Sequence, residues 1–123
     1  MSEKYKIKWL KELAEHDYSA ALSYVSLIYD EKTAAAYVNK LKRARMSKFK
    51  ATDIFRASGL SLLGVSSGQV KKYQKKIKSE SKLSPLLLIR DSANGKVVIA
   101  DGYHRLCAAY SYFEDADIPC KII

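Results

Sequence analysis

Residues 97–110 read VVIADGYHRLCAAY, and within them a strand pattern gives way to a helix pattern across Asp101-Gly102. Val97, Val98 and Ile99 are β-branched and follow the turn pair Asn94-Gly95, which predicts a buried strand. Gly102 can take a positive φ, and the spacing from Arg105 to Tyr110 predicts a helix starting near Tyr103. A junction of this kind aims the free N–H groups and positive dipole end of a helix at an anion. Arg105 has three readings: a bidentate clamp on a phosphate, a partner for Asp101, or a surface residue. His104 is a second donor or proton carrier, or a residue that caps or packs in the first helical turn. Asp101 is a helix cap or, in a catalytic site, a carboxylate that holds a metal-bound water or orients His104. Tyr103 either stacks on a base or fills core space.

Working outward, Leu86 to Ile89 reads as a second strand behind Ser84-Pro85, with Val97 to Ala100 its antiparallel partner across the Asn94-Gly95 turn. A helix over Tyr103 to Phe113 and a terminal strand over Ile118 to Ile123, with Pro119 near its start, complete this part. The first half reads helical. Trp9, Leu10, Leu13 and Ile7 form the stripe of a short amphipathic helix interrupted at His16-Asp17. Asp17 or Ser19 caps a second helix carrying Ala21, Leu22, Val25, Leu27, Ile28 and Tyr29. Asp30 caps a third, Glu31 to about Ala44, with Ala34, Tyr37, Val38 and Leu41 on one side. Ala51 to Ser58 is a short helix closed by Gly59, followed by the apolar connector Leu60, Leu62 and Leu63. Ser66 or Ser67 then caps a helix to about Ser79 with Val70, Tyr73 and Ile77 on its apolar seam. The expected architecture is a single α+β domain over 1–123, in which a helical N-terminal extension (1–47) precedes a core (48–123) with a small mixed sheet.

The chain has 123 residues and a net charge of +9, a length suited to one domain with a modest core. Between Lys40 and Lys82 lie thirteen basic residues and two acids, Asp53 and Glu80, so this segment carries +11 and the remainder −2. Such concentration favours a polyanion, nucleic acid first and an anionic membrane surface second; the alternative is a solvated face of a basic protein. Some of Lys40, Lys42, Arg43 and Arg45 serve a helix C-terminus instead. No apolar run approaches the roughly 20 residues of a membrane span, and MSEKYKIKWLKELAEHDY lacks the apolar region of a secretory signal. The expected compartment is the cytoplasm. Cys107 and Cys120 form no CxxC or Cys/His cluster and read as buried thiols, and His16 has no ligand partner at metal spacing, so no metal site is expected. Solvation is the ordinary reading of Glu114, Asp115 and Asp117. Tyr24, Tyr29, Tyr37 and Tyr73 fall on apolar stripes, so core packing is their expected role.

At Ile99-Ala100-Asp101-Gly102-Tyr103-His104-Arg105, followed by Ala108 and Ala109, the chain resembles the ParB/sulfiredoxin-like superfamily. The resemblance is strongest over SPLLLIR, VVIADGYHRLCAAY and DADIPCKII, and extends back to KATDIFRASGL from Lys50. It implies a compact fold whose strand-to-helix turn binds phosphates of a nucleotide or nucleic acid. The superfamily includes chromosome-partitioning proteins that bind CTP and DNA, sulfiredoxins that use ATP, small-substrate kinases and nuclease-like proteins. Sulfiredoxins carry a catalytic cysteine between the glycine and the His-Arg pair, where this chain has Tyr103; Cys107 lies one helical turn further on. Sulfinic-acid reduction is therefore not expected. Partitioning proteins continue into a helix-turn-helix reader, whereas this sequence stops at Ile123, resembling instead the small stand-alone bacterial members.

The leading expectation is thus a ParB-like domain that binds a nucleotide or nucleic-acid phosphate at Asp101, Gly102, Tyr103, His104 and Arg105. Nucleic acid would also be held through Lys48, Lys50, Arg56, Lys71, Lys72, Lys75 and Lys76. A nucleotide such as CTP or ATP, with Mg²⁺, is the cofactor the resemblance allows. Two further functions stay open: a small nucleotide-dependent phosphotransferase or nuclease using His104 and Asp101 for proton work or phosphate positioning, and a protein-interaction module with a non-catalytic pocket.

Overall fold

The computed structural model describes residues 6–63 and 67–123, which form a four-stranded mixed sheet covered by helices on both faces. In chain order the elements are α1 (Glu15–Val25), α2 (Glu31–Arg43), β1 (Met46–Lys50), α3 (Ala51–Ser58), α4 (Gly68–Lys78), β2 (Leu86–Asp91), β3 (Lys96–Asp101), α5 (Tyr103–Tyr112) and β4 (Asp117–Ile122). The strand order is β1-β4-β2-β3. β4 is antiparallel to β1 and parallel to β2, and β2 and β3 form an antiparallel hairpin. The turn between them is a 3₁₀ turn over Ser92–Asn94, closed by Gly95 in the left-handed region. This is the expected α+β class.

Alternation along the central strands decides which helix covers which face. Leu87 and Ile89 of β2, with Val98 and Ala100 of β3, pack against Tyr18, Ala21 and Val25 of α1 and Ala34, Val38 and Leu41 of α2. Leu86, Leu88, Ile99, Ile118 and Cys120 face the other way, toward Ile54 of α3 and Leu106 and Ala109 of α5. On that second side α4 forms an outer layer, with Val70 and Ile77 packed on Cys107, Ala108 and Leu83. α1 and α2 together cover one face of the sheet.

Local signals account for several boundaries. The Asp30 side chain accepts from Thr33 N at 2.8 Å to start α2, Ser67 Oγ accepts from Val70 N to start α4, and Gly59 at φ 69° ends α3. The alternative α4 cap, Ser66, lies outside the described residues.

Three expectations are corrected. Residues 6–14 are not an amphipathic helix: Trp9 bridges Leu83 in parallel, with Leu10 N donating to Leu83 O and Leu83 N to Lys8 O. The apolar stripe there is spent on an extended segment beside α4. His16-Asp17 does not interrupt a helix, and neither Asp17 nor Ser19 caps one, because α1 begins at Glu15 and Asp17 is buried within it. The helix expected to carry Leu22, Leu27, Ile28 and Tyr29 ends at Val25, and Leu22, Leu27 and Ile28 are exposed, Leu27 at 85%. The sequence reading also lacked β1, an edge strand whose polar residues Ser47, Lys48 and Lys50 conceal its pairing with β4 and suit an edge that must not recruit another strand. Among the described residues, no helix is long and apolar enough to cross a membrane.

Candidate functional site

The turn between β3 and α5 is held open by one glycine. Gly102 sits at φ 105°, and a Cβ there would stand 2.6 Å from Leu86 Cγ and 3.0 Å from Arg105 Nη2. Only glycine satisfies both the dihedral and the space. No side chain caps the start of α5, and Gly102 O accepts its first helical bond, from Leu106 N. The N-terminal end of α5 is thus built from Gly102, Tyr103 and His104, all partly exposed.

Arg105 turns inward from this end. Its residue exposure is 6%, and Nη2 lies 2.9 Å from Asp101 Oδ2, 3.0 Å from Pro85 O and 3.8 Å from Asp17 Oδ2. Of the sequence readings for Arg105, pairing with Asp101 is the contact present, and the guanidinium is not a surface group. Asp17, in turn, accepts from Ser84 Oγ, which also accepts from Ala14 N at 3.1 Å. His16 Nε2 approaches the other Asp17 oxygen at 3.4 Å. One guanidinium therefore ties α1, the strand entrance at Pro85 and the end of β3 to α5.

The electrostatics follow from two carboxylates sharing one cation. Burial pushes the Asp101 carboxyl above its ordinary value, Asp17 adds to the rise, and Arg105 opposes it without cancelling it. For Arg105, burial disfavours the charge, but Asp101 and Asp17 outweigh burial and hold its pKa above the ordinary value. Arg105 Nε is buried without a hydrogen-bond partner among the described residues.

Arg105 also approaches α4. Its Cζ is 5.9 Å from the centroid of the Tyr73 ring, which Lys72 Nζ and Lys76 Nζ also approach, at 5.5 and 5.4 Å. These separations fall within cation–π range. Tyr73 thereby joins two exposed lysines of α4 to the residue that holds the Asp101–Gly102 turn. Sequence reasoning placed Tyr73 only on a core stripe; its position between Lys72 and Lys76 was the signal for this second role. Asp17, Ser84 and the Pro85 carbonyl were missed as site residues, for no local pattern marks a contact between residues 17 and 101.

The remaining residues are placed as follows. Tyr103 packs its ring beside His104, centroids 5.5 Å apart, and its hydroxyl donates to Ser61 O, so the connector after α3 covers it. Lys71 and Lys75 are exposed on α4 with Lys72 and Lys76. Lys48 and Lys50 lie on the edge strand β1, and Arg56 is on α3, 3.6 Å from Asp53. The lysines of α4 lie outside one face of the sheet, whereas Lys40, Lys42 and Arg43 belong to α2 on the other. The basic segment of the sequence is consequently distributed over several surfaces, and Lys72 and Lys76 are the lysines gathered at the Tyr73 ring that Arg105 also approaches. Cys107 and Cys120 are free and buried, as expected. Among the described residues, no group of three or more His, Cys, Asp or Glu side chains converges as a metal site. The chain matches no protein-family model, no curated protein and no solved structure.

Proposed function

We propose that this domain binds a phosphate of nucleic acid, or of a nucleotide, at the N-terminal end of α5, as the resemblance to ParB/sulfiredoxin-like domains implies. The observation that carries the reading is the convergence of Lys72, Lys76 and Arg105 on the Tyr73 ring, beside a helix start that no side chain caps. An anion there meets free N–H groups, the positive end of a helix dipole and two exposed ammonium groups. In this reading Lys72, Lys76 and His104 contact the phosphate. Arg105, buried and paired, positions the turn and adds its charge from behind. Asp101 is the partner that keeps Arg105 in place. With Asp101 committed to Arg105, a divalent ion accompanying a nucleotide would be carried by the nucleotide's own phosphates.

A thermal-shift screen tests the reading, since a ligand selective for the folded state raises its apparent stability with occupancy. The four ribonucleotides, with and without Mg²⁺, and a short duplex and a single-stranded oligonucleotide are the probes. Stabilisation by any of them that is lost in a Lys72→Gln/Lys76→Gln variant supports the site. Stabilisation that survives the double substitution moves the ligand elsewhere on the basic surface, and no stabilisation by any probe removes the proposal.

A further inference from the structure

On the face of the sheet opposite α1 and α2, a groove of about 210 Å³ opens between α3 and the strands. Its walls include Phe49 of β1, Ile54 and Ala57 of α3, Leu88 of β2, Val97 of β3 and Ile122 of β4. Register gathers these side chains: Leu88 is paired with Ile122, and Val97 with Arg90, two residues beyond Leu88. The lining is almost wholly apolar, so the group that fits it is hydrocarbon. The space equals about seven water volumes at roughly 30 Å³ each, enough for one aliphatic side chain and below the usual range of drug-sized sites.

The end of α1 carries the converse feature. Leu22, Tyr24, Leu27 and Ile28 are all exposed, Leu27 most of all. The turn that holds them is tight, because Leu27 N donates to Tyr24 O, and Ile28 N and Tyr29 N both donate to the carbonyl of buried Val25. An apolar patch gathered on one turn in this way marks an interaction site. α1 packs on the sheet face of Leu87 and Ile89, whereas the groove lies on the face of Leu88. One chain's turn therefore does not reach its own groove.

Charge favours a second copy of this chain as the occupant. Between Lys11 and Lys32 the sequence has five acids and no lysine or arginine, although the whole chain carries +9. Of these acids Glu15, Asp30 and Glu31 are exposed, the last two lying three and four residues beyond Leu27. The balance is reversed on the elements that line the groove, which expose Lys48, Lys50, Arg56, Arg90 and Lys96 against Asp53 and Asp117. Opposite charges flanking two apolar surfaces favour their meeting in one orientation. We propose that two copies associate head to tail, Leu27 of one entering the groove of the other over Ile54 and Leu88, with the acidic flank of α1 facing the basic flank of the groove. The two surfaces differ, so the contact is heterologous and leaves a free Leu27 at one end and a free groove at the other.

Sedimentation velocity of the full chain tests this. The wild-type protein should associate as its concentration rises toward about 1 mM, the weak end of the affinity scale. Leu27→Ser should weaken association about tenfold or more, the loss expected for one buried leucine, and Glu31→Lys at least about twofold, as for an exposed ion pair. Ala57→Leu, which fills the groove from its own wall, should also be monomeric. Mixing separates this contact from general stickiness: Leu27→Ser keeps an open groove and Ala57→Leu keeps Leu27, so an equimolar mixture should form a dimer that grows no further. Circular dichroism checks that both variants are folded. Should Ala57→Leu not fold, the methyl resonances of Leu88, Val97 and Ile122 decide, since they should shift with concentration in the wild type and stay fixed in Leu27→Ser. A wild-type protein still monomeric at about 1 mM, unchanged association or unchanged methyl shifts in Leu27→Ser, or a mixture of folded variants that stays monomeric overturns the proposal.

Discussion

Arg105 Nη2 and Asp101 Oδ2 stand 2.9 Å apart, one helical turn of sequence apart and with Gly102 between them. The pair clamps the two ends of the β3–α5 turn, and the same nitrogen reaches Pro85 O and approaches Asp17. Removing the guanidinium strands two carboxylates in a buried setting. Arg105→Met should cost about 3–5 kcal/mol in chemical denaturation, the range for breaking one side of a buried ion pair. Arg105→Lys should recover only part of this, because a compact ammonium cannot reproduce the delocalised charge and reach of the guanidinium between Asp101 and the Tyr73 ring. A loss below about 1 kcal/mol for Arg105→Met would mean that the pair does not brace the turn.

Gly102 supplies a separate test of the same turn. Any Cβ at φ 105° is strained, and this one would meet Leu86 Cγ at 2.6 Å in the core as well as Arg105. Gly102→Ala should therefore lower stability by more than the roughly 1 kcal/mol of an ordinary left-handed site, with Gly102→Val worse. Gly59 is the control: it has φ 69° with nothing within 4 Å of its would-be Cβ, so Gly59→Ala should carry the dihedral cost alone. Equal melting temperatures for the two alanine variants would show that the Leu86 contact costs nothing.

What could be read from the sequence was what adjacent residues decide. Asp30 before α2, Gly59 after α3 and Gly102 before α5 act over one turn of chain, and each marks the boundary expected of it. The β2–β3 hairpin was legible because its two apolar runs flank a turn. Residues 6–14 and 46–50 were not, because each becomes extended only through a distant partner, Leu83 in one case and β4 in the other. The same limit applies to the site. Arg105 and Asp101 are four residues apart and could be paired on paper, whereas Asp17, Ser84 and Tyr73 reach them only through the assembled layers.

The two cysteines give the pH prediction. Burial raises both thiols, Cys120 from 9.0 to about 11. A group whose folded pKa exceeds its unfolded value contributes stability that is fully present below the unfolded pKa and is lost as pH rises through the folded one. The wild-type protein should accordingly lose stability between about pH 9 and 11, and Cys120→Ala should lose less over that interval while being less stable at pH 7. Neither thiol should react with a disulfide reagent at pH 8 until the chain is unfolded, when both should. Fast labelling of the native protein at pH 8 would contradict this burial.

The lysines of α4 separate the proposed site from a general basic surface. On duplex DNA, every phosphate that a lysine no longer neutralises should reduce the slope of log K against log salt by about 0.9, so Lys72→Gln/Lys76→Gln should flatten it by up to about 1.8. Lys48→Gln/Lys50→Gln removes the same charge from the edge strand β1, away from the Tyr73 ring that gathers Lys72, Lys76 and Arg105. If the α5 end is where phosphate binds, the α4 pair should change both slope and affinity markedly more than the β1 pair. Base preference, where present, should survive either change, because backbone contacts position a protein without reading sequence. Equal effects of the two double variants would mean that the chain meets nucleic acid as a diffuse cation, with no phosphate seated at the glycine turn.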